Sequence, residues 1–444
     1  MEHQQERCRR VVLVPLPFQG HITPMLQLGT ILHSKGFHIT IAHTHFNFPN
    51  TLKYPHFDFI ALSDGVGEQT ISAHNFIAVI SAFNTNCKDH LRESLARIME
   101  KEDQHNKTAC IIYDEYMYFA EEVAKQLRTS SIILSTSSAA KMLSYLAIPR
   151  LQNEGHIPPQ DSKMLELVPG LEPLRFKDLT ITYFSKSDDL LQLIANALDP
   201  RSSSSIIWNT MDCLEHSPLA KIQQEHQLPL FPIGPLHKIV PAISSSLLKE
   251  DQRCIPWLDK QSHTSVIYIS LGSTVSMDNK DLVEMAWGLA NSEQPFLWVI
   301  RTDSRALPEA FQEAVGDRGC IVKWAPQKEV LAHTAVGGFW SHCGWNSTIE
   351  SISEGVPLIC QPYYGDQQVN ARYLTQVWGV GLQWENDMNR GDIEGAIRWL
   401  MVGKEGQLIR QRAKDLKDTI KSSMNQGGSS YNSLNELVDL ILSF

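Results

Sequence analysis

Apolar and polar positions alternate in blocks along this 444-residue chain. Short continuous apolar runs, the mark of strands buried on both faces, are followed by longer stretches with apolar residues three and four apart, the mark of one-faced helices. Residues 10–17 (RVVLVPLP) predict such a strand, followed by a helix over 22–35 and a strand over 38–43. Pro24 then falls in the first helical turn, where its missing N–H forfeits no bond. Strands over 109–113 and 131–135 flank a helix over 117–127. The polar, Ser-rich stretch 236–253 has no sustained period and reads as a linker. Beyond it the pattern restarts, with strands at 265–271, 296–301, 319–323, 337–341, 356–361 and 380–384. Helices at 279–292, 328–333, 346–354 and 366–378 lie between them. Leu282, Met285, Ala286 and Leu289 form one apolar face, and Leu434, Leu437, Val438 and Ile441 repeat it in the closing helix. The chain is thus expected to be α/β, with two doubly wound domains at 1–235 and 254–444.

Composition changes this picture little. With 43% hydrophobic and 20% charged residues, the chain is ordinary for a globular protein with two cores. A formal charge of −10 argues against nucleic acid or an anionic membrane as partner, since both require a basic face. The eight cysteines, including Cys8, are scattered without a CxxC pair, so free thiols in a reducing compartment are expected. Pro15 and Pro17 interrupt the first apolar run, and no segment approaches roughly 18 continuous apolar residues. A cytoplasmic protein with no membrane insertion is the expectation.

Chemistry-bearing residues recur just after the strands, where parallel sheets bind ligands. Gly20 and His21 follow the first strand, Asp114 the IIY run, and Thr136 the SIILS run. Gly272-Ser273-Thr274, Trp324, His342 and Asp366-Gln367 do so in the second half. Such positions suggest a site shared across a cleft between the domains. No strand is followed by GxGxxG, and neither GxxxxGK[ST] nor a DxD pair occurs, so dinucleotide, P-loop and metal-diphosphate chemistry are not indicated. A diphosphate would instead need neutral donors and a helix dipole, worth about 0.3–1 kcal/mol at an exposed helix end. Residues 342–347 (HCGWNS) provide them, with Gly344 admitting close approach and Asn346 and Ser347 opening the helix. His43 and His45 have the spacing of a metal pair but no third ligand, and read as packing residues. Trp298 and Trp340 read as core.

Residues 324–367, WAPQKEVLAHTAVGGFWSHCGWNSTIESISEGVPLICQPYYGDQ, resemble the 44-residue signature box of plant family 1 UDP-glycosyltransferases nearly position for position. PFQGHITPML, SLGSTVSM and the closing helix extend the likeness over the whole chain. Ser341 stands where many members carry Thr. The branch that glycosylates diterpenoids, cytokinins and similar plant metabolites is the nearest suggested. The resemblance implies the GT-B fold, two facing Rossmann-like domains, with the last helix (about 430–444) packing back on the first. It implies a monomeric, inverting enzyme that uses UDP-glucose as co-substrate, no metal or other cofactor, and a small apolar hydroxylated acceptor. Trp324 would stack on uracil and the Ala325 backbone would pair with its edge, while Gln327 and Glu350 hold the ribose. His342, Asn346, Ser347 and Ser273 would hold the diphosphate, and Trp345, Asp366 and Gln367 the sugar. Thr136 would touch the sugar or a phosphate, or else serve only the turn. His21 matches the catalytic base and Asp114 the carboxylate that orients it. Phe18, Gly20 and Tyr145 would face the acceptor, in loops near 63–86, 138–146 and 178–192 that also carry Phe76, Phe83 and Tyr183. The rival class is a non-catalytic relative with a vestigial site, which would be expected to have lost His21, Asp114 or the Asp366-Gln367 pair.

Overall fold

The computed structural model describes residues 9–66, 76–102, 107–183, 187–240, 246–273, 277–301 and 307–444. Cys8, Thr274, and parts of the 63–86, 178–192 and 236–253 stretches lie outside them. Two compact units emerge, and neither is continuous in sequence. The first comprises Met1–Ile157, Phe184–Leu247 and Ser423–Phe444, and the second Pro158–Tyr183 and Leu248–Ser422.

Among the described residues, the first unit holds seven strands. They are β1 (Arg10–Val14), β2 (His38–Thr44), β3 (Asp58–Leu62), β4 (Thr108–Asp114), β5 (Ser130–Ser135), β6 (Ile206–Trp208) and β7 (Leu230–Pro232). They pair in parallel in the order β3-β2-β1-β4-β5-β6-β7. Side chains of β1 alternate between two cores, as the two-residue strand period requires. Val12 and Val14 join Phe83, Leu91 and Trp208 on one face. Val11 and Leu13 join Leu434, Leu437 and Ile441 of the helix Ser429–Ser443 on the other.

The second unit repeats the plan with β8 (Val266–Ser270), β9 (Phe296–Val299), β10 (Gly319–Val322), β11 (Val336–Ser341), β12 (Leu358–Cys360) and β13 (Gly381–Gln383). Their order, β10-β9-β8-β11-β12-β13, is again wholly parallel. Leu282, Met285, Ala286 and Leu289 of the helix Asn279–Ser292 pack on Ile267, Ile269, Trp298 and Trp340.

Several boundaries differ from those read in the sequence. The first helix is Gln19–Ser34, so Pro24 lies inside it, beyond the first turn. Residues 366–378 are not one helix: Gln367–Arg372 is followed by a wider π-turn over Tyr373–Val377. Leu236–Ile239 is a short helix whose Leu236 is fully buried in the first unit, so the supposed linker begins as core. Residues 158–183 leave the first unit for the second. β6, β7 and the long helix Phe76–Met99 have no counterpart among the elements expected from the sequence. Among the described residues no helix is long and apolar enough to cross a membrane. The seven described cysteines are free thiols. His43 sets Nδ1 3.0 Å from the Thr44 carbonyl and packs its ring near Phe59.

Candidate functional site

In a parallel sheet, the place where strand order reverses leaves the carboxyl ends of two neighbouring strands uncovered. In the first unit that place lies between β1 and β4. His21 stands in the first turn of the helix after β1, and Asp114 is the last residue of β4. Their side chains meet, His21 Nδ1 lying 2.7 Å from Asp114 Oδ2. Asp114 is fully buried, and its Oδ1 accepts the Tyr116 N–H at 3.1 Å, so the carboxylate cannot swing. A carboxylate acceptor fixes the Nδ1–H tautomer and leaves the Nε2 lone pair to take a proton. Burial pulls the imidazole pKa down, but the Asp114 charge and hydrogen bond, aided by Glu115, outweigh it and raise it above the ordinary 6.5. The imidazole stays one-fifth exposed, enough for an incoming group to reach it. Thr136 Oγ1 lies 2.9 Å from the same Nδ1, which makes it a partner of the imidazole.

An aromatic surface adjoins this pair. The Tyr116 ring stands edge-on to His21 with centroids 5.9 Å apart, and Phe76 packs near Tyr116 and Phe18. Phe18 is partly buried and Phe76 is 37% exposed. Gly20 is exposed one residue before His21. Tyr145 and Phe83, expected to face an acceptor, are buried instead. Tyr145 covers the Lys141 ammonium at 4.4 Å, and Phe83 belongs to the core. Lys141 and Glu115 are a buried ion pair at 2.8 Å, and Lys141 also donates to the Tyr116 hydroxyl at 3.0 Å. Nothing in the sequence pattern singles out this pair, because both residue types are ordinarily surface ones.

In the second unit the order reverses between β8 and β11. Gly272 and Ser273 follow β8, and His342 follows β11. The imidazole is seated between two glycines: a Cβ at Gly272 or Gly344 would fall 2.6 or 2.5 Å from His342 Nε2. Burial pushes the His342 pKa down to about 4, so it is neutral near pH 7 and would offer an anion a hydrogen bond rather than a charge. Cys343 takes the left-handed conformation at φ +64°, costly for a non-glycine residue, and is pinned there. Its N–H bonds Ser341 Oγ at 3.0 Å and its carbonyl accepts from Asn370 at 3.0 Å. That turn sets the start of the helix Trp345–Ser353, where backbone N–H groups and the dipole favour an anion at Asn346 and Ser347. Arg301, which the sequence reading missed, donates to the Ser273 carbonyl at 2.5 Å.

Three further groups complete this unit's candidates. Gln327 donates to Glu350 at 2.7 Å and to Ser347 Oγ at 3.0 Å, a preset polar pair for vicinal hydroxyls. Burial raises the Glu350 pKa, although the Gln327 bond opposes it. Trp324 is partly buried, and its carbonyl is held by the Asp251 N–H at 2.8 Å beside buried Ala325. Asp366 Oδ2 accepts from Asn370 at 2.9 Å. Gln367 Oε1 takes the N–H groups of Tyr363 and Tyr364 at 2.8 and 3.2 Å, so its amide presents donors rather than both functions. Trp345 is 4% exposed with its indole near Trp378, so a sugar would meet its backbone more than its ring.

Residues 247–408 match the family described as UDP-glucoronosyl and UDP-glucosyl transferase. Over 98% of its length the chain is 48% identical to UDP-glycosyltransferase 76E1 of Solanum lycopersicum, covering 93% of that relative. The chain belongs to the plant UDP-glycosyltransferases. It is also 46% identical to flavonol 3-O-glucosyltransferase UGT76E12 of Arabidopsis thaliana, with 99% of the chain and 98% of the relative aligned. Among solved structures, Medicago truncatula UGT71G1 complexed with UDP-glucose superposes with a TM-score of 0.86 at 26% identity, covering 99% and 100% of the two chains. The two Rossmann-like units of this UDP-glycosyltransferase are those of the GT-B fold.

The raised pKa of His21 supplies a direct test of its environment. Asp114→Asn keeps the shape of the side chain and removes its charge, leaving burial as the largest influence on the imidazole. The His21 midpoint, followed by NMR titration of its ring protons, is expected to fall relative to the native protein. An unchanged or higher midpoint contradicts the assigned pairing.

Proposed function

We propose that this UDP-glycosyltransferase moves glucose from UDP-glucose to a hydroxyl of a small, largely apolar plant metabolite, with inversion and without a metal. The 2.7 Å pairing of His21 with a buried carboxylate carries this reading, because it leaves Nε2 as a base beside an aromatic surface. The acceptor O–H gives its proton to Nε2 as its oxygen attacks the anomeric carbon, and the bond from that carbon to the diphosphate breaks. UDP leaves, and an α-linked donor gives a β-glycoside. Negative charge growing on the diphosphate is met by His342, Ser273 and the helix start at Asn346 and Ser347, groups already oriented before the reaction. Trp324 and Ala325 take the base, Gln327 and Glu350 the ribose. A flavonol glucosyltransferase among the relatives supports a flat phenolic acceptor. The aromatic trio Phe18, Phe76 and Tyr116 supports the same class. A non-catalytic binder is disfavoured because His21 and Asp114 are present and bonded, and Asp366 and Gln367 are retained.

His21→Ala is expected to lower kcat by on the order of 10²–10⁴-fold, the usual contribution of a general base, while UDP still binds. In the native enzyme kcat/KM should rise with pH through a midpoint above 6.5, since the base works only when neutral. Retention of more than about a tenth of turnover would refute the assignment.

Donor choice follows from the groups offered to the sugar. The Asp366 carboxylate accepts from one hydroxyl and the Gln367 amide donates to another. Galactose, with one hydroxyl inverted, and xylose, lacking the hydroxymethyl group, leave such partners unpaired, and the Asp366 carboxylate repels a uronate. The order of kcat/KM with one acceptor should be UDP-glucose first, UDP-galactose and UDP-xylose weak, and UDP-glucuronate essentially unused. Preference for any other donor overturns this part of the reading. Because the diphosphate is held by N–H donors, EDTA should leave turnover intact, and a loss restored by Mg²⁺ or Mn²⁺ would count against it.

A further inference from the structure

The segment Pro158–Tyr183 departs from its sequence neighbours to join the second unit, and the chemistry assigned so far gives it no task. Beyond the ion pairs of Arg175 and Lys177 with Glu385, its polar contacts gather on one element. The helix Gln367–Arg372 and the turn before it carry Asp366 and Gln367. On the near side, Thr180 Oγ1 donates to the Gly365 carbonyl at 2.9 Å, one residue before Asp366. Gly365 sits at φ +69°, a conformation that side chains other than glycine rarely adopt, so this carbonyl has a set direction. On the far side, the Arg372 guanidinium donates to the Pro173 carbonyl at 3.2 and 2.9 Å and lies 3.3 Å from Asp178 Oδ2.

One short segment therefore grips the helix at both ends. The grip is itself anchored. Asp178 is fully buried and takes two parallel bonds from Arg175, Nε to Oδ2 at 3.0 Å and NH2 to Oδ1 at 2.9 Å. Paired bonds of this kind fix orientation as well as charge. The Arg175 N–H adds a third bond to Asp178 at 2.8 Å. Beyond it, Arg175 NH2 reaches Glu385 at 2.5 Å, just past β13, so the segment is tied to the sheet. Thr180 is 3% exposed, which excludes water from competing for its bond.

We infer that Pro173–Thr180 is a strap that sets the position of the sugar-contacting turn, with Thr180 and Asp178 as positioning residues for recognition of the transferred hexose. The inference rests on the reading of Asp366 and Gln367 as sugar contacts. Both strap contacts to the helix, at Gly365 and Arg372, belong to the sugar-contacting element, whereas uracil and ribose are assigned to Trp324, Gln327 and Glu350. Loosening the strap therefore weakens recognition of the hexose and spares the nucleotide. Displacement of a binding group by a fraction of an ångström is enough to lose such recognition.

Thr180→Val removes the hydroxyl and keeps the shape. The KM for UDP-glucose is expected to rise about 3- to 10-fold, the usual effect of one hydrogen bond, while the Kd for UDP by calorimetry stays within about twofold. Thr180→Ser restores the native values. Arg372→Gln, which loosens the other end, should show the same split and serves if the valine variant does not fold. Asp366→Asn is the reference and must weaken UDP-glucose relative to UDP. If it does not, the sugar assignment fails and the strap with it. If it does, and the strap variants leave the UDP-glucose to UDP ratio unchanged or weaken both ligands equally, the strap alone is overturned.

Discussion

A parallel sheet whose strand order reverses cannot cover its own middle. The crossovers on either side of the reversal leave in opposite directions, and the carboxyl ends of the two central strands stay open. This chain meets that constraint twice, at β1 beside β4 and at β8 beside β11. The first opening is filled by His21 and Asp114, the second by Ser273, Gly272 and His342. Neither opening needs loops of unusual length. The backbone plan puts the loop of one strand next to the end of its neighbour, so that His21 bonds Asp114 in the first unit and His342 packs against Gly272 in the second.

The second unit was the more legible of the two. Pro295, Gly319, Pro357 and Gly381 mark the starts of β9, β10, β12 and β13, and Asn279–Ser292 coincides with the helix read from its apolar face. The signature over 324–367 then narrows the candidate site residues. In the first unit β6 and β7 span three residues each and have no expected counterpart, whereas β12 and β13, equally short, lie inside the longer runs 356–361 and 380–384. What the pattern could not carry was the state of individual side chains. Tyr145 looks like a pocket aromatic in sequence but lies over Lys141, and Lys141 itself looks like a surface residue but is buried. Gln367 reads as both donor and acceptor, yet Tyr363 and Tyr364 occupy its oxygen. Such outcomes depend on contacts between residues far apart or on turn geometry, and no local period encodes them.

The buried charges are informative because they are expensive. A buried ion pair commonly contributes little or nothing to stability compared with an apolar pair of the same volume, because both ions must be dehydrated. Lys141 and Glu115 are therefore a weak explanation for why the first unit holds together. Their geometric effect is specific: Lys141 bonds the hydroxyl of Tyr116, whose ring flanks His21. Asp178 is held by two arginines in the second unit. In each unit a costly polar cluster lies behind residues assigned to the ligand, where orientation matters more than net stabilisation.

The way the chain threads through its units bears on how it is made. Leu434, Leu437 and Ile441, which follow the second unit in sequence, complete the face of the first sheet that Val11 and Leu13 build before it. A ribosome delivers those residues only after the second unit. During synthesis the first sheet therefore has one apolar face only partly covered, by the helix Gln19–Ser34 and Leu236, until the second unit has been made. Over that interval the apolar side chains that Leu434, Leu437 and Ile441 will cover stay open to other chains, so completion of the first core waits on translation of the second unit.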